Sequence, residues 1–222
     1  MFGISIIISA RFITFDKLTR KGDIEMNQVL FIKTSLNDEL SKSNTLASEL
    51  ITKFKKQTNA NIVTRDVAKQ PLPHLTLLEM EAWGTPQHER TEQQHDLATL
   101  SITLVEELKN SDTVVVAMPM YNFGVPSTFK SWVDRVARAG ITFNYTENGP
   151  VGLLKNKNVI IVATRGGLYQ GTVKDSQSQF LKDFFSFIGL SNVRFIYAEG
   201  LNMPDSHVNL AKAQSEIDSI EI

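Results

Sequence analysis

The chain has 222 residues, of which 42% are hydrophobic, so it can bury the core of one domain without requiring a second. Its 23 Lys and Arg nearly balance its 24 Asp and Glu, which argues against a nucleic-acid partner, because that partner requires a basic face, and against an acidic electron carrier. The absence of cysteine excludes disulfides and thiolate chemistry, and no apolar run approaches the roughly 20 residues of a membrane-spanning helix.

Residues 1–25 do not fit the pattern of the remaining chain. A short apolar run at residues 4–8 is followed by scattered charges that begin at Arg11. A secretory signal would carry basic residues before its apolar core and a small-residue cleavage site after it. We interpret residues 1–25 as an extension without a core role and Met26 as the start of a domain that spans residues 26–222. A genuine N-terminal arm is the alternative.

From residue 28 onward, β-rich runs alternate with amphipathic segments. The runs cover residues 29–34, 61–66, 113–118, 159–163 and 193–198, and helices are predicted around residues 46–54, 97–108, 129–136, 180–188 and 210–220. Residues 68–86 contain prolines and are expected to be irregular. Because several runs are continuously apolar, they predict a parallel sheet covered on both faces. The sequence therefore predicts an α/β fold, a three-layer, doubly wound, five-stranded parallel sheet in the order 2-1-3-4-5.

A serine-rich loop follows the first predicted strand. Ser35 lies at its start, and Ser41, Lys42 and Ser43 precede the first helix. A helix N-terminus offers unpaired N–H groups and a partial positive charge, so it can bind phosphate. From these residues alone, N-capping by Ser43 or Asn44 is the better interpretation. The position at the carboxyl end of a strand favours phosphate binding.

A polar and aromatic loop follows the third predicted strand. It contains Met120, Tyr121, Asn122 and Phe123, and the next helix is predicted to begin near Thr128. Strand, loop and helix in this order form a ligand crevice at the edge of an open α/β sheet. An amide, two rings and backbone N–H groups suit a flat, polar heteroaromatic ligand. A plain surface loop is the alternative for the tetrapeptide taken alone.

A third loop follows the fourth predicted strand and contains Thr164, Arg165, Gly166 and Gly167. Two adjacent glycines let a backbone approach a ligand closely, or simply form a turn. In isolation the turn is the better interpretation, but the loop belongs to the same edge of the predicted sheet.

Taken together, these segments closely resemble the FMN-dependent NAD(P)H azoreductase and quinone reductase family, which has a flavodoxin-like fold. The resemblance spans roughly residues 28–67 and 95–220, including Ala-Arg-Ala-Gly at 137–140 and Tyr-Thr-Glu-Asn-Gly-Pro at 145–150. It implies one FMN per subunit. The residues that match its FMN contacts are Ser35, Ser41, Lys42, Ser43, Met120, Tyr121, Asn122, Phe123, Thr164, Arg165, Gly166 and Gly167. The family usually has Ser where this chain has Thr164.

The resemblance also implies a homodimer whose active site lies at a two-fold interface. Tyr145 and Phe187 match family aromatics that line the substrate space over the flavin, and for Phe187 a core role is equally compatible. Trp132, Phe184 and Phe187 provide more apolar surface than a small sheet needs, which favours the same assembly. No side chain is implied as catalytic, because the flavin carries the redox chemistry.

The implied activity passes two electrons from NAD(P)H, with NADH favoured, through FMN to quinones and aromatic azo compounds, cleaving the azo bond to amines. The sequence contains no second dinucleotide motif, so one pocket would serve donor and acceptor in turn, which predicts ping-pong kinetics. We expect a cytoplasmic enzyme that acts on small molecules, without a nucleic-acid or membrane partner. The alternatives are a flavodoxin-like electron carrier and a non-enzymatic flavin-binding partner protein.

His88 and His95 are the residues most suggestive of a metal site. They stand seven residues apart on a predicted helix, near Glu92. Because no cysteine or other convergent ligand accompanies them, we predict that they do not form a metal site. His74 and His207 are predicted to be surface residues.

Overall fold

The computed structural model describes residues 27–222, so the expectation for residues 1–25 lies outside the described part of the chain. The strands are β1 (Gln28–Lys33), β2 (Asn61–Asp66), β3 (Thr113–Pro119), β4 (Phe143–Thr146), β5 (Gly149–Gly152), β6 (Asn158–Thr164) and β7 (Val193–Ala198). The helices are α1 (Lys42–Thr58), α2 (Leu77–Gly84), α3 (Glu92–Lys109), α4 (Ser127–Val136), α5 (Ser176–Phe187) and α6 (Ser206–Ser219). Short 3-10 helices lie at Asp38–Leu40 and Gln87–Glu89.

Five strands form one parallel sheet in the order β2-β1-β3-β6-β7. Strands β4 and β5 form a separate hairpin. When the five strands of the sheet are numbered by themselves, their order is 2-1-3-4-5, so the predicted fold is confirmed. Every residue of β3 and all but the first of β6 are buried, as expected for central strands covered on both faces. Because the strands are parallel, the loops after β1, β3 and β6 meet at one edge.

Two apolar clusters lie on opposite faces of the sheet. Helices α1 and α6 cover one face, and α3, α4 and α5 cover the other. Successive side chains of a strand point to opposite faces, so Val114 and Val115 belong to different clusters. Trp132 and Phe184 are buried within one of these clusters, with ring centroids 6.1 Å apart. The expectation that these two rings supply surplus surface for a dimer was therefore wrong.

Helix α2 lies in the segment that was expected to be irregular, and for these residues the prediction was wrong. Thr76 and Glu79 form a capping box at its N-terminus. Glu79 also accepts hydrogen bonds from Arg135 of α4, with Nε–Oε1 at 3.0 Å and Nη2–Oε2 at 2.9 Å, and both side chains are buried. The Thr-x-x-Glu signal is present in the sequence, but the helix is short and its anchor lies 56 residues away.

The antiparallel hairpin β4–β5 was also absent from the predicted elements. It docks beside the C-terminus of α5, where the Leu154 N–H donates to the Ile188 carbonyl at 3.0 Å. A Cβ atom at Gly152 would lie 2.0 Å from the backbone nitrogen of Gly189. Only a residue without a side chain permits this approach of two backbones.

We predict that Gly152→Ala destabilises the fold, because the added methyl group overlaps backbone atoms that cannot move aside. The free energy of unfolding, measured by urea denaturation, should fall by at least about 1–3 kcal/mol, the usual effect of overpacking. Gly84→Ala is the matched control, since a Cβ there meets no atom of residues 27–222 within 4 Å, and it should change stability by no more than about 0.5 kcal/mol. Equal stabilities of the two variants would show that this contact does not hold the hairpin.

Candidate functional site

The loops after β1, β3 and β6 surround a crevice of about 480 Å³ at the carboxyl edge of the sheet. The predicted residues that line it are Ser35, Ser41, Lys42, Met120, Tyr121, Thr164, Arg165 and Gly166. An adjacent slot of about 220 Å³ is lined by Met120, Asn122, Phe123, Gly166 and Tyr169. Ser43 and Gly167 are chain neighbours of these lining residues, so the structure brings together the three loops that the sequence singled out.

The serine loop ends at the N-terminus of α1. Ser41, rather than Ser43 or Asn44, is the N-cap residue, and its Oγ accepts from the Asn44 N–H at 3.1 Å. The hydroxyl oxygens of Ser41 and Ser43 lie 3.0 Å apart, and both side chains are buried. The first N–H groups of a helix have no partner within it, so α1 directs donors and a partial positive charge at the crevice. Hydroxyls, N–H groups and the exposed Lys42 form a donor set for an anion.

A tight turn at residues 121–124 forms the middle of the site. Tyr121 and Gly124 exchange two backbone hydrogen bonds of 3.1 and 3.0 Å. Asn122 and Phe123 have φ values of +50° and +65°, as the two central residues of a type I′ turn require. Residues other than glycine rarely adopt this left-handed region, which costs about 1–3 kcal/mol each and persists only where the surrounding structure enforces it. The turn is thus a strained element at the edge of the crevice.

The loop after β6 offers backbone donors. The carbonyls of residues 165–167 accept from N–H groups of residues 200–202. Among the described residues, no hydrogen bond uses the N–H of Gly166 or Gly167. A Cβ at Gly166 would lie 2.5 Å from Asn202 Nδ2, and one at Gly167 would lie 2.8 Å from the Tyr169 hydroxyl. A larger residue at either position would therefore require the end of a neighbouring side chain to move, whereas glycine lets the loop approach a ligand with its backbone.

The Arg165 side chain is buried in a network of its own. Its Nη2 lies 2.8 Å from Asp175 Oδ1 and 2.7 Å from the Ser178 hydroxyl, and its Nη1 lies 2.9 Å from Glu199 Oε1. The guanidinium also stacks over the Tyr197 ring at 4.9 Å. Two carboxylates, Asp175 and Glu199, neutralise this cation, so its charge stabilises the loop structure. Its backbone N–H donates to the Ala198 carbonyl at 2.9 Å, and its carbonyl accepts from the Leu201 N–H at 3.0 Å. The predicted ligand contact of Arg165 therefore stays a prediction.

This network changes two pKa values. Burial alone would raise the pKa of Asp175, but hydrogen bonds from Arg165 and Ser178 lower it below its ordinary value. Burial raises the pKa of the Tyr197 hydroxyl, which lies 2.9 Å from the Ser178 hydroxyl. The ionised Asp175 is therefore the form that the fold favours.

Tyr169 is a site residue that the sequence analysis missed. Its ring meets that of Phe123 edge to face, with centroids 5.6 Å apart, and it lines the slot beside the turn. Its backbone N–H donates to Glu199 Oε1 at 2.9 Å, which places the residue beside the Arg165 network. An aromatic residue shortly after two glycines was the available signal.

The structure does not bring Tyr145 and Phe187 to the crevice of their own chain. Both rings pack on Phe143, at centroid distances of 5.4 and 4.2 Å. Phe187 is the last residue of α5, whose first residue, Ser176, contacts the turn. At a helical rise of 1.5 Å per residue it lies about 16 Å along the helix axis from Ser176. The substrate-wall role stays a prediction that requires a second chain.

His88 and His95 do not share a helix, contrary to expectation, because His88 lies in a 3-10 helix and His95 in α3. Within residues 27–222, no group of three or more His, Cys, Asp or Glu is placed to hold a metal ion. None of the helices in that range is long and apolar enough to cross a membrane.

Comparisons with known proteins identify the family and fold to which this chain is similar. A family model described as a flavodoxin-like fold matches residues 27–220. The chain is 50% identical over 197 residues to an FMN-dependent NADH:quinone oxidoreductase of Alteromonas mediterranea, covering 89% of this chain and 98% of the relative. It is 45% identical over 194 residues to the enzyme of the same name from Cellvibrio japonicus, covering 87% and 98%.

Among solved structures, the chain resembles an FMN-dependent NADH-azoreductase from Bacillus anthracis in complex with FMN. The TM-score is 0.79 at 25% sequence identity, and the match covers 87% of this chain and 96% of that one.

We predict that Asp175→Asn lowers stability and removes part of its acid dependence. Because the folded-state pKa of Asp175 is lowered, its contribution is present above the ordinary pKa of about 3.9 and is lost as the pH falls through the folded value. At pH 7 the free energy of unfolding should fall by about 1.5–3 kcal/mol, as for a hydrogen bond to a charged group.

The measurement is urea denaturation at several pH values. Asn retains the capping acceptor of α5, so the loss reports the ion pair with Arg165. Asp183→Asn, exposed on the same helix, is the control and should behave as wild type. Identical pH profiles for Asp175→Asn and wild type would contradict the assignment.

Proposed function

The chain belongs to the flavodoxin-like fold family and, within it, to the FMN-dependent NADH:quinone oxidoreductases, and from this membership we propose that it passes two electrons from NADH through FMN to quinones and aromatic azo compounds. It is an FMN-dependent oxidoreductase. The observation that carries the finer proposal is the crevice itself, in which anion donors at α1 stand beside a slot with free backbone N–H groups.

The donor chemistry of the crevice fits FMN. The α1 N-terminus with Ser35, Ser41 and Ser43 would hold the phosphate, as buried hydroxyls and unpaired N–H groups suit an anion. The free N–H groups of Gly166 and Gly167, together with residues 120–123, would hold the ring. Neither glycine carries a side chain, so the backbone would be the contacting surface. When bound, FMN accepts a hydride from the nicotinamide and passes two electrons to the acceptor.

The protein's own contribution is orientation. The Asn122 amide and the glycine N–H groups can donate to polar edges of a flat ring, while the edge-to-face pair of Phe123 and Tyr169 provides an apolar wall. Arg165 is neutralised by Asp175 and Glu199, which keeps the loop carrying these donors fixed. Hydrogen-bond donors that are already in place stabilise charge that develops during the reaction, because they need not reorganise first.

We propose that NADH and the acceptor use the same face of the slot in turn, because the sequence holds no second dinucleotide motif. A quinone then takes two electrons and two protons to become a hydroquinone in one cycle. An azo compound takes four electrons and four protons over two cycles, which breaks the nitrogen–nitrogen bond and releases two amines. The electron-carrier and flavin-binding-partner alternatives predict no steady turnover of NADH with a quinone. We propose that the enzyme is cytoplasmic, which cell fractionation tests.

We predict that Ser43→Ala weakens FMN binding while leaving the helix cap intact, since Ser41 supplies the cap. Loss of one hydrogen bond to a charged phosphate should cost about 1.5–3 kcal/mol, or roughly a tenfold to hundredfold increase in Kd. Quenching of flavin fluorescence measures the Kd. Ser48→Ala, exposed on the same helix, is the control. Unchanged affinity in Ser43→Ala would remove this hydroxyl from the phosphate site.

We predict ping-pong kinetics for the reduction of menadione by NADH. Double-reciprocal plots at several menadione concentrations should give parallel lines, because the donor product leaves before the acceptor enters. Intersecting lines would show that donor and acceptor bind together. Absence of NADH oxidation by FMN-loaded protein would instead favour the electron carrier or the flavin-binding partner.

We predict a homodimer with the substrate wall shared between chains. Tyr145 is 69% exposed and lies on the hairpin, away from the crevice of its own chain, so its proposed contact with a substrate would be made in the crevice of a partner. Light scattering should give the mass of two chains. Tyr145→Ala should raise KM for menadione more than the Kd for FMN, and a fully active monomer at the assay concentration would contradict the shared site.

A further inference from the structure

Gln177, the second residue of α5, has an unusual environment for a glutamine. Its side chain is fully buried, whereas glutamines are mostly exposed in proteins. Its Nε2 donates to the Pro119 carbonyl at 2.9 Å and to the Gly124 carbonyl at 3.0 Å. Pro119 ends β3 and Gly124 ends the strained turn. One amide group therefore joins the residues on either side of the loop that reaches into the crevice.

The contacts around Gln177 explain how the turn keeps its conformation. The neighbouring Ser176 hydroxyl donates to the Phe123 carbonyl at 2.6 Å, so the first turn of α5 contacts both the centre and the end of the loop. Asp175, which caps α5, is in turn held by Arg165. The left-handed Asn122 and Phe123 lie between these anchors. Two consecutive residues other than glycine do not favour the left-handed conformation by themselves, so tertiary contacts must enforce this conformation.

The orientation of the amide follows from its neighbours. Two carbonyl oxygens face Nε2, and reversing the amide would place Oε1 against both of them, which no hydrogen bond could compensate. Among the described residues, Oε1 has no hydrogen-bond partner. A buried amide that leaves one acceptor unpaired in order to satisfy two carbonyls is poorly explained by stability alone.

We propose that Gln177 is a positioning residue for the flavin. It joins Pro119, which precedes the turn at residues 121–124, to Gly124, which ends it, so that Asn122 and Phe123 face the ring site in their left-handed conformation. The proposal rests on the proposed function, because it assigns this turn to FMN. Gln177 does not line the slot itself and acts through the turn.

Gln177→Glu tests the proposal through a pH signature. A protonated Glu donates one hydrogen bond in place of two, and an ionised Glu directs its charge at two carbonyl oxygens about 3 Å away. We expect the Kd for FMN of Gln177→Glu, divided by that of wild type, to rise at least tenfold between pH 5.5 and pH 8.5. The ratio cancels the ionisation of the FMN phosphate, which is common to both proteins.

The matched control is Gln179→Glu on the same helix. Its amide is exposed and donates to Asp183 Oδ1 at 2.7 Å, away from the turn, so its Kd ratio should stay near one at every pH. Gln177→Met, with neither donor nor charge, should bind FMN at least tenfold more weakly at every pH. It also decides the matter if Gln177→Glu unfolds at high pH. Circular dichroism and the thermal midpoint of each flavin-free variant report folding separately from binding.

The outcomes distinguish a failure of the proposed function from a failure of the positioning role of Gln177. If wild type fails to bind FMN, the proposed function fails. If wild type binds FMN, while folded Gln177→Glu and Gln177→Met match it across the pH range, the positioning role is wrong. If both variants lose thermal stability but keep the wild-type Kd for FMN, Gln177 serves the fold alone, which also overturns the proposal.

Discussion

The crevice depends on one buried cation. Arg165 follows β6, Glu199 follows β7, and Asp175 caps α5, so two ion pairs join three segments at the carboxyl edge of the sheet. Removal of one carboxylate would leave a buried charge incompletely compensated. That loss is far more destabilising than replacement of the whole ion pair by apolar residues. Through Asp175 the network fixes the first turn of α5, and through Glu199 it fixes the backbone of Tyr169. The strained turn and the glycine loop are both aligned by this arrangement.

The central fold could be predicted because its signals are local. Apolar runs such as β3 and helically spaced residues such as those of α1 determine which faces are buried, and the parallel order follows from alternating strands and helices. The exceptions, α2 and the β4–β5 hairpin, are short elements stabilised by distant partners. Glu79 needs Arg135, and Gly152 needs the backbone of Gly189. Neither partner is visible in a short stretch of sequence.

At the site, the three loops could be predicted, but the roles of individual side chains could not. The crevice lies where parallel strands end. The serine, Met-Tyr-Asn-Phe and glycine segments each directly follow a predicted strand, so their common location could be predicted. The N-cap residue is Ser41, whereas Ser43 or Asn44 was predicted, because the helix begins earlier than its apolar pattern. Arg165 looked like a ligand contact, since nothing near it in sequence reveals two carboxylates ten and 34 residues away. Gln177 was overlooked because its acceptors lie 53 and 58 residues away.

The left-handed turn has a consequence for how the protein matures. Its conformation is imposed by α5 and by the network beneath it, so it forms only when β3, β6 and α5 have docked. A collapsed intermediate with native helices but loose packing would lack this surface. If FMN contacts the turn, as proposed, it binds the completed fold and not its precursors. By mass action, each tenfold excess of free FMN over its Kd then adds about 1.4 kcal/mol to apparent stability, so flavin supply in the cell would set how long the folded protein persists.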